Sequence, residues 1–561
     1  MSFLDPRTLA FVLFAGFMAI SFLLCILAAT GNDDPTEFYL GTGSLSPMQN
    51  GLAIAGDYIS AATVLSTTGT IALAGFDGVL IASSTVLSIL LFMLVLSGPL
   101  CGRGRFTLGD VLSERLSERP ARIGTAVVVL VVVMPLLLVQ LNGAGAMLAV
   151  LLGIPGSGAV TGCTVFIGSL MVCYAALGGM KGTGFIQILK TVLLLAAFVL
   201  LAALVLKRFS WNPFTLFDAA ADASGYGDGF WQSGRQYGDS LSGRLDVISV
   251  QLTLAVGAAC MPHLTMRLHP IRGMRAARAA TTWAVGAVTT ILGLIVIVGA
   301  GATAVVGARA LRASDPTGSD SLLLLTLALD PAAQEAHRSL LFSVVACAVV
   351  ATTLAAVAGL TLAAAASLAH DVLAKVVFKG RLSANRELAA ARTAIVIVGV
   401  VAVVLAIVTQ HWNRQVLISF TFAAAASALL PIVLYGTLWP GFTVNGLRWA
   451  LYGGLLLTAV TMAFSPAISG NPLAVFPERD FHWFPLRNPG LITIPAGFLL
   501  GWLGSRTGRR ARHAQDPTRG TCRTRCTPAD PPGAAPGLLR GSGPGLGAPV
   551  GGHPLTGRAP A

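Results

Sequence analysis

The sequence predicts an all-α, multi-pass membrane protein with about thirteen transmembrane helices, ten of them arranged as two five-helix inverted repeats. Three observations predict it. The 561 residues are 55% hydrophobic and only 11% charged, with a mean hydropathy of +0.77, whereas soluble domains carry about 25% charged residues. A spanning helix needs about 20 mostly apolar residues. Thirteen stretches fit that rule: 8–29, 48–73, 78–100, 123–152, 157–179, 185–206, 246–264, 280–306, 339–369, 390–410, 415–438, 447–466 and 488–504. Finally, the second and seventh stretches both contain helix-breaking residues, and each opens a run of five, as in transporters built from inverted repeats.

Taken in order, 1–47 holds the first helix and an inner loop. Its apolar run exceeds a signal-peptide core and lacks a basic leader or an Ala-x-Ala site, so it reads as a retained span. Residues 48–206 form the first repeat, 207–245 an extracytoplasmic segment of mixed charge, and 246–438 the second repeat. Two further helices occupy 439–505. Residues 506–561 hold nine Arg against two Asp among many Pro and Gly. Such a sequence cannot bury a core and is expected to be disordered.

The net charge of +13 does not point to nucleic acid, because Lys and Arg sit in short loops and in the tail. Arg103, Arg105, Arg115, Arg119 and Arg122 follow the third span. Arg267, Arg272, Arg275 and Arg278 follow the seventh, and Lys375, Lys379, Arg381 and Arg386 the ninth. The positive-inside rule makes that side cytoplasmic, with the N-terminus outside and the C-terminus inside. The loop 31–47 carries Asp33, Asp34 and Glu37 and no base, but acids weigh little in the rule. Cys25, Cys101, Cys163, Cys173, Cys260 and Cys347 are scattered in or beside apolar segments and read as small buried apolar residues.

The chemistry concentrates in Asn50-Gly-Leu-Ala-Ile-Ala-Gly-Asp-Tyr-Ile-Ser-Ala-Ala-Thr-Val-Leu-Ser-Thr-Thr-Gly69. A carboxylate in a span costs about 2.5 kcal/mol or more, so Asp57 requires a role. Helix breaks are tolerated in lipid where the freed backbone meets protein or lines a cavity. The second span is expected to be interrupted at Gly56, with Ala55–Ser60 offering carbonyls and hydroxyls to a bound ion or solute. The seventh is interrupted by Gly257-Ala-Ala-Cys-Met-Pro262. A small-residue packing face with a structural Asp is the alternative. Tyr58, Ser60, Gln140 and Gln251 are polar candidates for the substrate cavity; an interhelical hydrogen bond is the other role open to each. His263 and Arg267 read as interfacial anchors, or else as part of an inner gate. Hard cations favour oxygen ligands, and no Cys/His cluster invites a transition metal. No Walker motif is present and no nucleophile–base constellation lies within the spans. A transporter is expected, not an enzyme.

The chain resembles the sodium/solute symporters, and within them the cation/acetate, or monocarboxylate, branch. The resemblance is carried by the Asn50–Ala62 stretch, Phe106-Thr-Leu-Gly-Asp-Val-Leu112, Val139-Gln-Leu-Asn-Gly-Ala-Gly145 and Ala176-Leu-Gly-Gly-Met-Lys-Gly-Thr-Gly-Phe-Ile-Gln-Ile-Leu-Lys190. It continues with Met261-Pro-His-Leu-Thr-Met-Arg267, Ala358-Gly-Leu-Thr-Leu-Ala363 with His370-Asp371, Ala425-Ala-Ser-Ala-Leu-Leu-Pro431 and Trp439-Pro-Gly441. It implies the leucine-transporter fold with one extra N-terminal helix, and a sodium site where the second span's break meets the ninth span. Gly56 and Ile59 would supply carbonyls. Counting back from Asp371 at the family's interval reaches Ala355 and Ala356, which have no side-chain oxygen; Thr352 and Thr353, one turn earlier, are taken as the hydroxyl donors. Asp57 would attract the cation. The function implied is sodium-driven uptake of a small monocarboxylate such as acetate across a bacterial plasma membrane, with no organic cofactor. A cation bound first would cancel the repulsion between Asp57 and the substrate anion. An amino acid or sugar cargo, proton coupling, or a membrane sensor are the alternatives.

Overall fold

The computed structural model describes residues 6–515 except 30–33, 42–44, 104, 155, 239, 272, 331–339 and 473. Residues up to Ala511 form one compact unit; of the tail expected to be disordered, 506–561, the stretch to Gln515 is helical instead, and the part from 516 onward lies outside the described residues. Regular structure among the described residues is helical, apart from one isolated bridge between Ser469 and Phe476. Nine of these helices are long and apolar enough to cross a membrane.

Nine differs from thirteen for identifiable reasons. The helix Ser157–Arg208 runs through two predicted spans, which meet at Gly179. Its φ of 53° and ψ of −150° break the helical path, and a Cβ there would collide with the Phe38 carbonyl, so a side chain fits neither the backbone nor the space. The second span is split into Pro47–Tyr58 and Ala61–Ala74. The twelfth passes through a π turn at Trp449–Gly453. The last helix, Gly490–Gln515, continues ten residues beyond the predicted end at 505. The Arg-, Ala- and Gln-containing run up to Gln515 consists largely of helix formers and contains no proline before Pro517.

The first interruption falls later than Gly56. Ser46 opens Pro47–Tyr58 through a reciprocal capping box with Gln49, and Gly56 and Asp57 remain helical. The path turns at Ile59 and Ser60, because the Ser60 hydroxyl accepts the Thr63 N–H at 3.1 Å and starts a new helix. Gly56 serves close packing instead: a Cβ there would collide with the Gln187 carbonyl and the Thr191 hydroxyl. The second interruption lies within the predicted stretch. Leu241–Gly257 passes through a 3₁₀ turn, Met261 is extended, and Pro262 begins the short helix Pro262–Met266. Proline disfavours helical geometry in the residue before it and suits the first helical position.

Leu340–Ala366 forms the centre of the bundle, with nearly every residue buried. It packs against Ser157–Arg208, Glu118–Leu152, Pro47–Tyr58 and Pro262–Met266. Its alanines let neighbouring backbones approach closely, which is how helices associate where lipid gives no hydrophobic driving force. Both interrupted helices therefore meet the same apolar, uncharged surface.

Candidate functional site

Asp57, at the end of Pro47–Tyr58, is 4% exposed. Its Oδ2 accepts from Arg267 Nε at 2.6 Å, and its Oδ1 accepts from Gln187 Nε2. Gln187 Nε2 also donates to the Ala355 carbonyl at 2.8 Å. Arg267 Nη1 reaches the Met180 carbonyl at 3.3 Å, and Asn50 Nδ2 donates to the Arg267 carbonyl at 3.3 Å. One carboxylate thus ties together the first interrupted helix, the turn after the second, the Gln187 helix and the central helix. A buried charge is tolerated when paired and hydrogen-bonded, and Arg267 supplies both. Arg267 is therefore not an interfacial anchor: at 2% exposure it is the counter-ion of Asp57.

The predicted sodium ligands occupy a neighbouring position that another group has reached. Thr352 Oγ1 donates to the Ala348 carbonyl at 2.7 Å and Thr353 Oγ1 to the Val349 carbonyl at 3.1 Å. Such bonds leave hydroxyl lone pairs free. Lys190, with no exposed surface, extends its Nζ to 3.1 Å from the Thr352 main-chain carbonyl. Asp57 and Arg267 are its charged neighbours.

Beside these groups lies a cavity of about 960 Å³, a figure that includes open solvent; it touches Asp57, Tyr58, Ser60, Gln140, His263 and Ala356. Of the four substrate candidates, three line it and differ in availability. The Tyr58 hydroxyl donates to the Thr85 carbonyl at 3.1 Å, and Ser60 is committed to its helix cap. Gln140, 1% exposed, has neither amide atom hydrogen-bonded. Gln251 does not join them: its Oε1 accepts from Ser84 Oγ, the interhelical role open to it from the start. His263 lines the cavity with Nδ1 unpartnered. It thus enters the Asp57 neighbourhood, against the expectation of an interfacial anchor. A buried polar atom without a partner carries a desolvation penalty, which a hydrogen-bonding ligand would relieve.

A second charged cluster lies where the Phe106–Leu112 motif meets the end of the central span. Arg122 Nη1 donates to Asp110 Oδ1 at 2.8 Å and to Asp371 Oδ1 at 2.9 Å, and its Nε to Glu118 Oε1 at 2.9 Å. His370 lies between Asp110 at 3.1 Å and Glu387 at 2.7 Å, and Thr107 donates to Asp371 at 2.8 Å. Burial alone would raise the Asp110 carboxyl. The hydrogen bond and charge of His370, the Phe106 N–H and Arg122 outweigh it and hold Asp110 well below the usual carboxylate range. Asp110, His370 and Asp371 are close enough to ligate a metal, but the Arg122 guanidinium already sits on two of these carboxylates. This cluster locks helices together.

Lys190, Gln187, His263 and Arg267 are the residues that sequence reasoning underweighted. For Lys190 a signal existed: a base inside the apolar run 185–206 is as exceptional as Asp57.

Comparison with known proteins agrees with this architecture. The profile described as the sodium:solute symporter family matches residues 38–456. A protein named monocarboxylic acid transporter, from Corynebacterium glutamicum, is 34% identical over 506 residues, covering 88% of this chain and 91% of its own. An uncharacterised symporter of Bacillus subtilis is 34% identical over 508 residues, with 88% and 94% covered. Among solved structures, a Na⁺-coupled sialic acid symporter in a substrate-bound outward-open state aligns with a TM-score of 0.66 at 12% identity, over 89% of this chain and 98% of its own. Mhp1, a nucleobase-cation-symport-1 family transporter, aligns at 0.53 and 13% identity, over 86% and 95%. At such identities the structural likeness speaks for the fold alone.

Proposed function

Because the chain belongs to the sodium:solute symporter family, we propose that it is a secondary active symporter which couples downhill entry of a cation to uptake of a small monocarboxylate such as acetate. The observation that carries this reading is the cavity at the interrupted helices, where the unpartnered Gln140 amide and His263 ring face a space bordered by Asp57. That single acid has two basic neighbours, Arg267 and Lys190. An entering carboxylate would find a donor in the Gln140 amide beside the His263 ring, with Tyr58 and Ser60 shaping the wall and Arg267 and Lys190 offsetting the charge of Asp57. The monocarboxylic acid transporter of Corynebacterium glutamicum supports this cargo over an amino acid or a sugar. Transport would proceed by alternating access, one helix bundle rocking about the midplane site.

Two ions compete for the driving role. Sodium is the ion in the family's description, and its proposed ligands are the Gly56 and Ile59 carbonyls with Thr352 and Thr353. Proton drive is the second reading, favoured by the Lys190 ammonium at the Thr352 carbonyl. In the proposed orientation the Arg-rich loops face the cytoplasm and the N-terminus lies outside.

Radiolabelled acetate uptake into proteoliposomes, under a sodium gradient and separately under a proton gradient, tests the proposal. Accumulation competed by pyruvate or propionate but not by proline or glucose is expected. Absence of acetate uptake by monodisperse protein, with proline or glucose accumulated instead, refutes the cargo.

A further inference from the structure

Resting on the cation-coupled monocarboxylate reading, we infer that Lys190 is the resident cation of the site: its side chain occupies the position a sodium ion would take, so that uptake requires no sodium. Four observations converge. Where the resemblance to the sodium/solute symporters implies hydroxyl ligands, the central helix carries Ala355 and Ala356, which have no side-chain oxygen. Lys190 Nζ donates to the main-chain carbonyl of Thr352, on the same face of the central helix one turn earlier. Gly56, whose carbonyl is the other half of the predicted site, packs against Gln187 and Thr191, the residues that flank Lys190 on its own helix. The central helix Leu340–Ala366 contains no acid, so it offers no charge to balance a second cation.

Electrostatics opposes a second cation, because an ammonium and a sodium ion at neighbouring carbonyls repel strongly at the low effective dielectric of a protein interior. The charged and titratable groups facing Lys190 are Asp57 from the first interrupted helix, with Arg267 and His263 from the turn after the second. Asp57 is already held by Arg267, so its charge is not free to offset both a lysine and a sodium ion. The same arrangement solves the substrate's problem. A carboxylate entering the cavity meets Asp57 in its wall, and the basic neighbours of Asp57, Arg267 and Lys190, offset that charge without a bound ion. A sodium ion leaves with each cycle; a lysine side chain stays. The tethered charge therefore serves affinity for the anion, and the ion that drives uptake is one that needs no coordination by these oxygens.

The decisive experiment measures equilibrium binding of radioactive sodium to the purified full chain, without any substrate. It is paired with acetate uptake into proteoliposomes in which choline replaces sodium. Wild-type protein is expected to show no saturable sodium binding, no difference in thermal midpoint between sodium and choline chloride, and undiminished uptake in choline. Lys190→Met is expected to lower uptake by about tenfold or more, as losing a charge-assisted contact does, and Lys190→Arg to retain part of it. Saturable binding of one sodium per wild-type chain, unchanged by Lys190→Met, overturns the inference. Because the binding and thermal readouts use no carboxylate, a failure of acetate as cargo would leave them able to decide the role of Lys190.

Discussion

The protein buries two clusters of charge, and they are built on opposite principles. The Asp110 cluster is dense: Asp110, Asp371 and Glu118 share Arg122, and His370 links Asp110 to a fourth acid, Glu387. Thr107 and the Phe106 and Thr107 N–H groups fill further acceptor sites. Even the backbone is shaped to it, since a side chain at Gly109 would collide with the Asp371 carboxylate. The Asp57 cluster is sparse. It holds one acid, two bases and a glutamine, and it borders a cavity lined by the unpartnered Gln140 amide and His263 Nδ1. A densely paired network, in which Asp371 Oδ2 lacks a hydrogen bond but does not line that cavity, resists change; a sparse one beside a cavity has something to gain from a ligand. The difference separates a structural lock from a binding site more clearly than residue type does, because both clusters contain Asp, Arg and His.

If that contrast is right, the largest effect on stability should come from Arg122→Met. Removing one partner of a buried charge network costs about 3–5 kcal/mol, and the variant is expected to lose its thermal midpoint or fail to remain monodisperse in detergent. An Arg122→Met protein that melted like wild type would erase the distinction. Asp57→Asn should come next and act mainly on function. The amide oxygen can still accept from Arg267, so the protein is expected to remain folded while uptake falls by about tenfold or more, the equivalent of about 1.4 kcal/mol. Unchanged uptake would make Asp57 a second lock.

Gln140→Ala separates the clusters more sharply. A buried amide without partners contributes no internal hydrogen bond, so its loss should leave the thermal midpoint unchanged. The KM for acetate should rise by about threefold to tenfold, the value of one hydrogen bond. A stability loss without a KM change would place Gln140 in the packing.

Acid should discriminate in the other direction. The Asp110 carboxyl is depressed below its ordinary value of 3.8, so it contributes stability above that pH and loses it as pH falls below. The thermal midpoint should therefore drop below about pH 4. Asp110→Asn should have a lower midpoint at pH 7 and a shallower acid decline. The smallest effect is expected for Gln251→Ala, since Gln251 meets Ser84 outside the cavity. Its KM should not move, and its stability should change by about 0.5–1.5 kcal/mol at most.

Much of this was legible in the amino-acid sequence, for local reasons. Composition and apolar run length determine that the chain lives in lipid. Proline and glycine chemistry placed the second interruption at Gly257–Pro262, because Pro262 acts on its immediate neighbour wherever the helix sits. The first interruption was displaced by three residues, since Gly56 answers to the Gln187 helix 130 positions away, while the local signal lay in the Ser60 cap. The exceptional cost of Asp57 in a span was also visible, as was the absence of hydroxyls at Ala355 and Ala356.

What only the tertiary structure decided is who meets whom. Arg267 and His263 look interfacial because they follow the end of an apolar run; the chain turns at Met261–Pro262 and carries them inward to Asp57. Gln140 and Gln251 are the same residue type on similar helices, yet one faces a cavity unpartnered and the other a serine. Lys190 stands out in its apolar run as Asp57 does, but its partner, the Thr352 carbonyl, is set only by how its helix packs. Hydrophobic pattern and backbone propensity act over a few residues and can be read along the chain. The partner of a buried charge is set by helix packing across more than a hundred residues, and no local pattern encodes it.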